Sequence, residues 1–574
     1  MVAIIVQKIT AAKRLEKICC VLGLVLILFG SVQAQVVHFA DPNLEEAVRE
    51  TLHKTAGPVT AADMKSLVEL DASNRGITDL DGLEYAGNLQ VLNLAGNQIN
   101  DVFPLGRLTD LRVLNLNANN VENVSPLAGL TALQWLSLAD NQIFNVFPLG
   151  HLVHLEFLDL SYNQIKIITS LERLTKLRTL DLAGNRRIFD ISPLADLTNL
   201  KKLDLRRNQI RDLSPLKRLT NLTELNLREN QVSDLFPLAG LTKLKALYLG
   251  GNEIGDITPL TSLTALARLD LENNQLMDLR ALADCRNLGE LYLSGNRISD
   301  ITPLAALSHL WKLDLSQNQI ADVSPLTELV ELRALYLQLN RITDIAPLET
   351  LVSLQVLDLS GNQISDISPL RDLSGLKVLF LKANRVIDLS PLATLNSLRI
   401  LDLTGNQISD LSPLATLTLL RSLALRFNAI SDLTPLASLV NLEELNLGEN
   451  RISNIAPLAD LINLRSLYLD GNRISDISAI KALTHLHFLA LANNRISDIA
   501  SLVSLAQAGG LKGGGVVDLR DNYLDVTPGS QVMTDIQRLI ENGVNVDYEH
   551  PQFGVINGSS PAGLSEMAGD SSGV

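Results

Sequence analysis

Residues 200–221 read LKKLDLRRNQIRDLSPLKRLTN, and nearly everything between Leu67 and Leu524 is a copy of that stretch. Leu200, Leu203 and Leu205 lead to Asn208; Ile210, Leu213, Leu216 and Leu219 follow, and Leu222 begins the pattern again, a period of 22 residues. One such unit cannot bury its own apolar face. Units stacked side by side share a continuous core, so a repeat of this length specifies a solenoid. Around Leu203-Asp204-Leu205 apolar and polar residues alternate, as in a short strand with one buried face. Asn208 stands where the chain must turn out of the sheet, and its carboxamide both donates to and accepts from backbone groups that such a turn leaves unpaired. Ser214-Pro215-Leu216 reads as an N-cap hydroxyl followed by proline at the first helical position, where a missing N–H costs nothing. A short helical turn is expected there, on the outer side.

The pattern LxxLxLxxN at this period resembles the leucine-rich repeat, and its IxDIxPLxxL continuation, Ile210 to Leu219, is most similar to the 22-residue internalin-type subclass of bacteria. The asparagine is on register at Asn97, Asn119, Asn141, Asn163 and Asn185, then at Asn208 and every twenty-second residue to Asn494. The resemblance implies an α/β solenoid: a right-handed superhelix with a concave parallel β-sheet, short helical turns on the convex side, helical caps at both ends, and a role in protein recognition. It departs from the internalin pattern after the repeats, where a helix and a short strand replace the immunoglobulin-like domain of that family. Host-cell adhesion is therefore not implied.

Residues 1–34 are of another kind. Lys8, Lys13, Arg14 and Lys17 precede an uncharged run from Ile18 to Gly30, and Val32-Gln33-Ala34 offers small residues for a signal peptidase, so a signal peptide cleaved near Ala34 is expected. The run is too short for a membrane anchor. Residues 35–66 read as an N-terminal helical cap: Asp41-Pro42 opens a helix carrying Leu44, Val48 and Leu52 on one face, and Thr60 with Asp63 opens a second. Residues 67–526 hold about 21 repeats. Three are irregular. Arg75 takes the asparagine slot in the first repeat, Arg186-Arg187 stands before Ile188 where other units have one residue, and 28 positions separate Asn494 from Asn522, with Gly509, Gly510, Gly513, Gly514 and Gly515 marking a flexible outer loop. Residues 527–550 form a second cap, with Val532, Ile536, Leu539 and Ile540 on one side of a helix and a closing strand after Gly543. Residues 551–574, rich in Gly, Ser and Pro, read as a disordered tail.

The formal net charge is -15, and more negative still without residues 1–34, which argues against a nucleic-acid partner. Of three cysteines only Cys285 lies beyond the signal, at a position where Leu219, Leu241 and Leu263 are core residues, so it reads as a buried small hydrophobe. GxSxG, GxxxxGK[ST], HExxH and CxxC are all missing. The histidine pairs His151/His154 and His485/His487 have no cysteine or acidic partners in register and read as solvated or edge-packed. The chain is thus read as no enzyme, with no catalytic residue, no metal and no cofactor.

The informative positions are those the repeat leaves free. Four residues before the asparagine, the outward strand position holds Tyr248, Asp270, Tyr292, Asp314, Tyr336, Asp358, Phe380 and Asp402 in successive repeats, rings alternating with carboxylates. Adjacent strands lie about 4.8 Å apart, and with aromatics only 4% of the chain such a line is not expected from composition. Duplication of a two-repeat block would produce it without a ligand. It would still offer rigid aromatic anchors to a protein partner, with carboxylates suited to that partner's lysines or arginines. Trp135 and Phe157 share the slot two residues earlier in adjacent repeats, as a second contact site or as rim packing.

These observations predict an exported, non-enzymatic scaffold that binds a protein ligand on the concave face. It is expected in the periplasm, at the cell surface or secreted, without membrane insertion after signal removal, and monomeric. Two other classes use similar repeats: regulatory subunits of intracellular phosphatases, which the signal contradicts, and targeting arms of larger enzymes, for which no catalytic domain follows Tyr548.

Overall fold

The computed structural model describes residues 35–549. The expected signal peptide (residues 1–34) and tail (551–574) lie outside the described residues. Among the described residues twenty-two three-residue strands, β1 (Glu69–Asp71) to β22 (Asn545–Asp547), form one sheet. Each strand pairs in parallel with the next in sequence, in constant register: Asp270 stands opposite Tyr292, and Tyr292 opposite Asp314. A one-residue slip would turn every leucine outward, so the apolar period itself fixes that register. The strands line the concave side and short 3-10 turns such as Ser214–Arg218 run along the other. Between them lies a single core in which each repeat contributes the same positions; Leu200, Leu205, Ile210, Leu216 and Leu219 are fully buried.

Polar groups hold the turns in place. Asn318 Nδ2 donates to the carbonyls of Leu293 (2.9 Å), Leu315 (3.1 Å) and Ser316 (3.0 Å), so one carboxamide ties two repeats together. The residue before each asparagine adopts a left-handed backbone, supplied by glycine at Gly361 (φ 67) and forced on side-chain-bearing residues at Leu339 (φ 58) and Phe427 (φ 56). One expectation fails at the outer turn, because Ser214 is not its cap. Its N–H donates to Asp212 Oδ1 at 2.8 Å, and its hydroxyl donates to the other oxygen of that carboxylate. A carboxylate two residues earlier reaches the free N–H with better charge complementarity than a hydroxyl does.

Both ends are closed. Helix α1 (Pro42–Leu52) buries Leu44 and Val48 and is capped by Asp41, whose second oxygen accepts the N–H of Thr78 at 2.7 Å and so fastens the helix to the first repeat. Arg75, in the asparagine slot of that repeat, pairs with Glu50 of α1. A capping box of Thr60 and Asp63 opens α2 (Ala61–Met64). The long insertion before Asn522 is ordered rather than loose: it lengthens the outer turn into α3 (Ala500–Gln507), and Leu511 is fully buried with its N–H on the carbonyl of Leu486 at 2.7 Å. Gly510 and Gly515 serve close packing, since a Cβ on Gly515 would lie 2.5 Å from the Leu511 carbonyl, whereas Gly509, Gly513 and Gly514 supply positive φ. Helix α4 (Gln531–Glu541) buries Val532, Ile536 and Leu539, while Ile540 is turned to solvent, contrary to its expected place on the buried side. Among the described residues no helix is long and apolar enough to cross a membrane.

Candidate functional site

The line of outward residues is in the structure as the period requires, but its two halves differ. In the first half the side chains are engaged with one another. Asp270 is fully buried and paired with Arg228, which also reaches Glu272 at 3.2 Å and lies 5.9 Å from the Tyr248 ring centroid. Arg268 pairs with Glu290, and the Tyr292 hydroxyl donates to that same carboxylate at 2.7 Å. Burial and this bond push the Tyr292 phenol well above its usual range. Lys312 stands 5.0 Å from the Tyr292 ring and 5.8 Å from that of Tyr336, in the place a partner's cation would take. These side chains therefore do not project freely into solvent: Asp270 is fully buried and the other seven of the line are half-buried, with Tyr292 held by a bond of its own. The cause is long-range: Arg228 reaches over one intervening strand to Asp270, a pairing that local periodicity does not encode.

From Asp358 onward the line is half-buried but unpaired. Asp358 and Asp402 each accept the N–H two residues ahead, from Ser360 at 2.9 Å and Thr404 at 2.8 Å. Neither carboxylate forms an ion pair among the described residues. Burial, with Asp402 and Asp314 nearby, raises the pKa of Asp358. Asp159, Asp181, Asp204, Asp270 and Asp314 bond their own backbone in the same way. That bond is a structural reason for acid at this position which the sequence reading missed: the strand exit leaves an N–H that a short side chain can satisfy.

In the repeats of Tyr336, Asp402 and Ala424 lie three apolar groups that the sequence reading did not single out. Leu339, Ile400 and Phe427 are 56%, 37% and 55% exposed. Leu339 and Phe427 are visible in the sequence as bulky apolar residues in a slot where several repeats place glycine and most of the rest a small or polar residue. Along the edge where the chain comes into these strands stand Arg333, Lys377 and Arg399, all exposed; Lys377 bonds the Gln355 side chain at 2.9 Å.

The second suspected patch is packed. Trp135 and Phe157 stack with ring centroids 4.7 Å apart and planes at 7°, leaving Trp135 only 7% exposed. Trp311 lies over Gly289, where a Cβ would meet its ring nitrogen at 2.9 Å. Cys285 is fully buried and its thiol pKa is pushed up to about 11 by burial. His151 and His485 are exposed and their Nδ1 atoms lie against backbone carbonyls. Among the described residues no group of three His, Cys, Asp or Glu side chains is placed to hold a metal ion.

Comparison with known proteins places this architecture. An internalin of Listeria monocytogenes is 34% identical with a TM-score of 0.53, over 61% of this chain and 98% of that one. A leucine-rich repeat protein of Leptospira interrogans is 25% identical with a TM-score of 0.50, over 74% and 96%. The ectodomain of the Arabidopsis receptor kinase HAESA, solved with the peptide hormone IDA, shares the fold at 23% identity and a TM-score of 0.61, over 87% and 90%. The family Leucine Rich repeats (2 copies) matches in ten segments between residues 87 and 504, among them 153–196, 264–306 and 462–504. Those segments span well over half of the chain, which therefore belongs to the leucine-rich repeat family.

Proposed function

We propose that the protein is an exported, non-enzymatic scaffold of the internalin-type subclass that binds a protein partner on its concave face. The observation that carries this reading is the contrast along the outward line. Charged groups from Arg228 to Lys312 satisfy one another, whereas the half-buried Asp358, Phe380 and Asp402, between β13 (Ala334–Tyr336) and β17 (Ser422–Ala424), have no ion pair and no ring or cation contact among the described residues. Leu339 and Phe427 add to it. A bulky residue with positive φ is strained by about 1–2 kcal/mol relative to glycine, and here that strain keeps Leu339 and Phe427 more than half exposed, with Arg426 lying 4.9 Å from the Phe427 ring centroid. Exposed apolar groups rimmed by charge are the usual composition of a contact surface. Within this reading Tyr336, Asp358, Phe380 and Asp402 are the central contacts. Tyr248, Asp270, Tyr292 and Asp314 form a pre-organised flank, and Trp135 with Phe157 a stacked outlying edge.

The test uses the repeat's own alternatives. Leu339→Gly and Phe427→Gly install the residue that Gly361 and Gly405 already provide, so both variants should fold with equal or higher thermal midpoints. Partner capture by residues 35–549 should fall with these substitutions and persist with Lys217→Ala on the convex side. Equal capture by all three would remove the concave face as the site. Export rests on the charged start and apolar run of residues 1–34; mass spectrometry of the natively produced protein should find an N-terminus at or near Gln35.

A further inference from the structure

The outer rim carries a row of carboxylates, one per repeat, each accepting the N–H that opens the next 3-10 turn. It runs unbroken from Asp190 through Asp212 and Asp234 to Asp432. In the three repeats before Asp190 the row gives way to Asn123, Asn145 and Ile167. Around the break four aromatic and apolar groups gather: Phe144, Phe147, Ile167 and Phe189 are 56%, 68%, 68% and 55% exposed, whereas exposed rings such as Phe103 and Phe236 stand beside carboxylates of the row, Asp101 and Asp234. The break is built rather than frayed. Asn145 and Ile167 form a parallel β-bridge, one of two isolated bridges among the described residues, which ties adjacent repeats beneath the patch. The extra residue before Ile188 brings Arg187 to the same place, and Lys166 lies 5.9 Å from the Phe189 ring centroid.

Between these groups is a groove of about 550 Å³ whose walls include Phe144, Phe147, Ile167, Lys166 and Arg187, and whose remaining lining is amide and hydroxyl. No carboxylate lines it, in a chain of net charge -15. We propose that this groove is a second docking site, for a protein segment that inserts an aromatic or branched aliphatic side chain between Phe147 and Ile167 and sets a carboxylate against Lys166 and Arg187. Charge complementarity selects the acid, and the recessed apolar walls select an inserting side chain. A flat anionic bilayer fits less well, because a surface large enough to cover the patch also meets Asp190 and Asp212 on the same rim. The site is on the outer rim and does not depend on partner binding at the concave face.

The experiment uses the full chain carrying ¹³C-methyl isoleucine, with the Ile167 signal assigned by Ile167→Val. The probes are acetyl-Glu-Trp-Glu-amide and acetyl-Lys-Trp-Lys-amide. Titration with the acidic peptide should shift the Ile167 methyl signal saturably, and the basic peptide should bind at least about ten-fold more weakly. Phe147→Ser returns that position to the serine of Ser125 and Ser192, so it should keep the thermal midpoint while reducing acidic-peptide affinity about ten-fold. Arg187→Gln should narrow the difference between the two peptides. An equal response to both peptides, no response, or a response only to phosphatidylglycerol vesicles would overturn the proposal.

Discussion

Asn318 Oδ1 accepts the backbone N–H of Ile298, one repeat earlier, at 3.0 Å, while its Nδ2 donates to three carbonyls. Asn318→Leu removes both functions of the carboxamide and leaves buried groups without partners, at about 1–3 kcal/mol each. A clear loss in urea midpoint is expected; a midpoint equal to that of the parent would mean that the asparagine ladder does not stabilise the solenoid.

Asn208 is the natural counter-example. The residue inserted before Ile188 carries that N–H out of reach, and Asn208 Oδ1 is buried without a donor among the described residues. Asn208→Leu should therefore destabilise less than Asn318→Leu, by about 1 kcal/mol. Deleting Arg187 should restore the missing bond and raise the thermal midpoint, which differential scanning calorimetry can read.

The N-terminal cap depends on Asp41. Burial tends to raise its pKa, but hydrogen bonds from Thr78, Asn43 and Leu44 outweigh burial and hold it below the ordinary value. A carboxylate with a lowered folded pKa stabilises fully above its unfolded pKa and loses that contribution as pH falls through the folded value. Asp41→Ala should cost about 1 kcal/mol at neutral pH, and the difference from the parent should shrink in strong acid. A difference independent of pH would assign the effect to packing alone.

Asp181 shows the opposite sign. Burial first, then the charges of Asp204 and Asp159, raise its pKa to about 7. A carboxyl whose folded pKa lies above its unfolded one makes the protein lose stability as pH rises from the unfolded value to the folded one. Thermal midpoints should therefore decline between about pH 4 and pH 7. Asp181→Asn, which keeps an acceptor for the Ala183 N–H, should flatten that decline and raise the midpoint at pH 8.

The two halves of the outward line should respond differently to truncation. Tyr292→Ala breaks the bond to Glu290 and uncovers Lys312, so about 1 kcal/mol of stability should be lost. Phe380→Ala, with no ring or cation contact of its own among the described residues, should leave stability nearly unchanged. It should cost about 2 kcal/mol or more in partner affinity if it anchors the contact. Calorimetry of both variants with a captured partner separates the effects.

The strand registers, the seven core positions per repeat, the asparagine ladder, both caps and the bulge before Ile188 were legible from residues 35–549 alone. Each is fixed by contacts within one period or between adjacent periods, where apolar spacing and the hydrogen-bonding needs of a turn leave a single solution. Other features depend on residues one or two whole repeats apart. Arg228 reaches over an intervening strand to bury Asp270, Trp135 is covered by Phe157 although its strand position points outward, and the run from Asn494 to Asn522 is ordered because Leu511 finds the core. The groove at Ile167 arises only when Phe144, Phe147, Lys166 and Arg187, from successive turns, are brought to one rim. A 22-residue period dictates which side chains face outward, but it does not state how far each reaches along the stack or which neighbour it meets. Side-chain length and charge across strands about 4.8 Å apart decide that, and they do so only once the sheet exists.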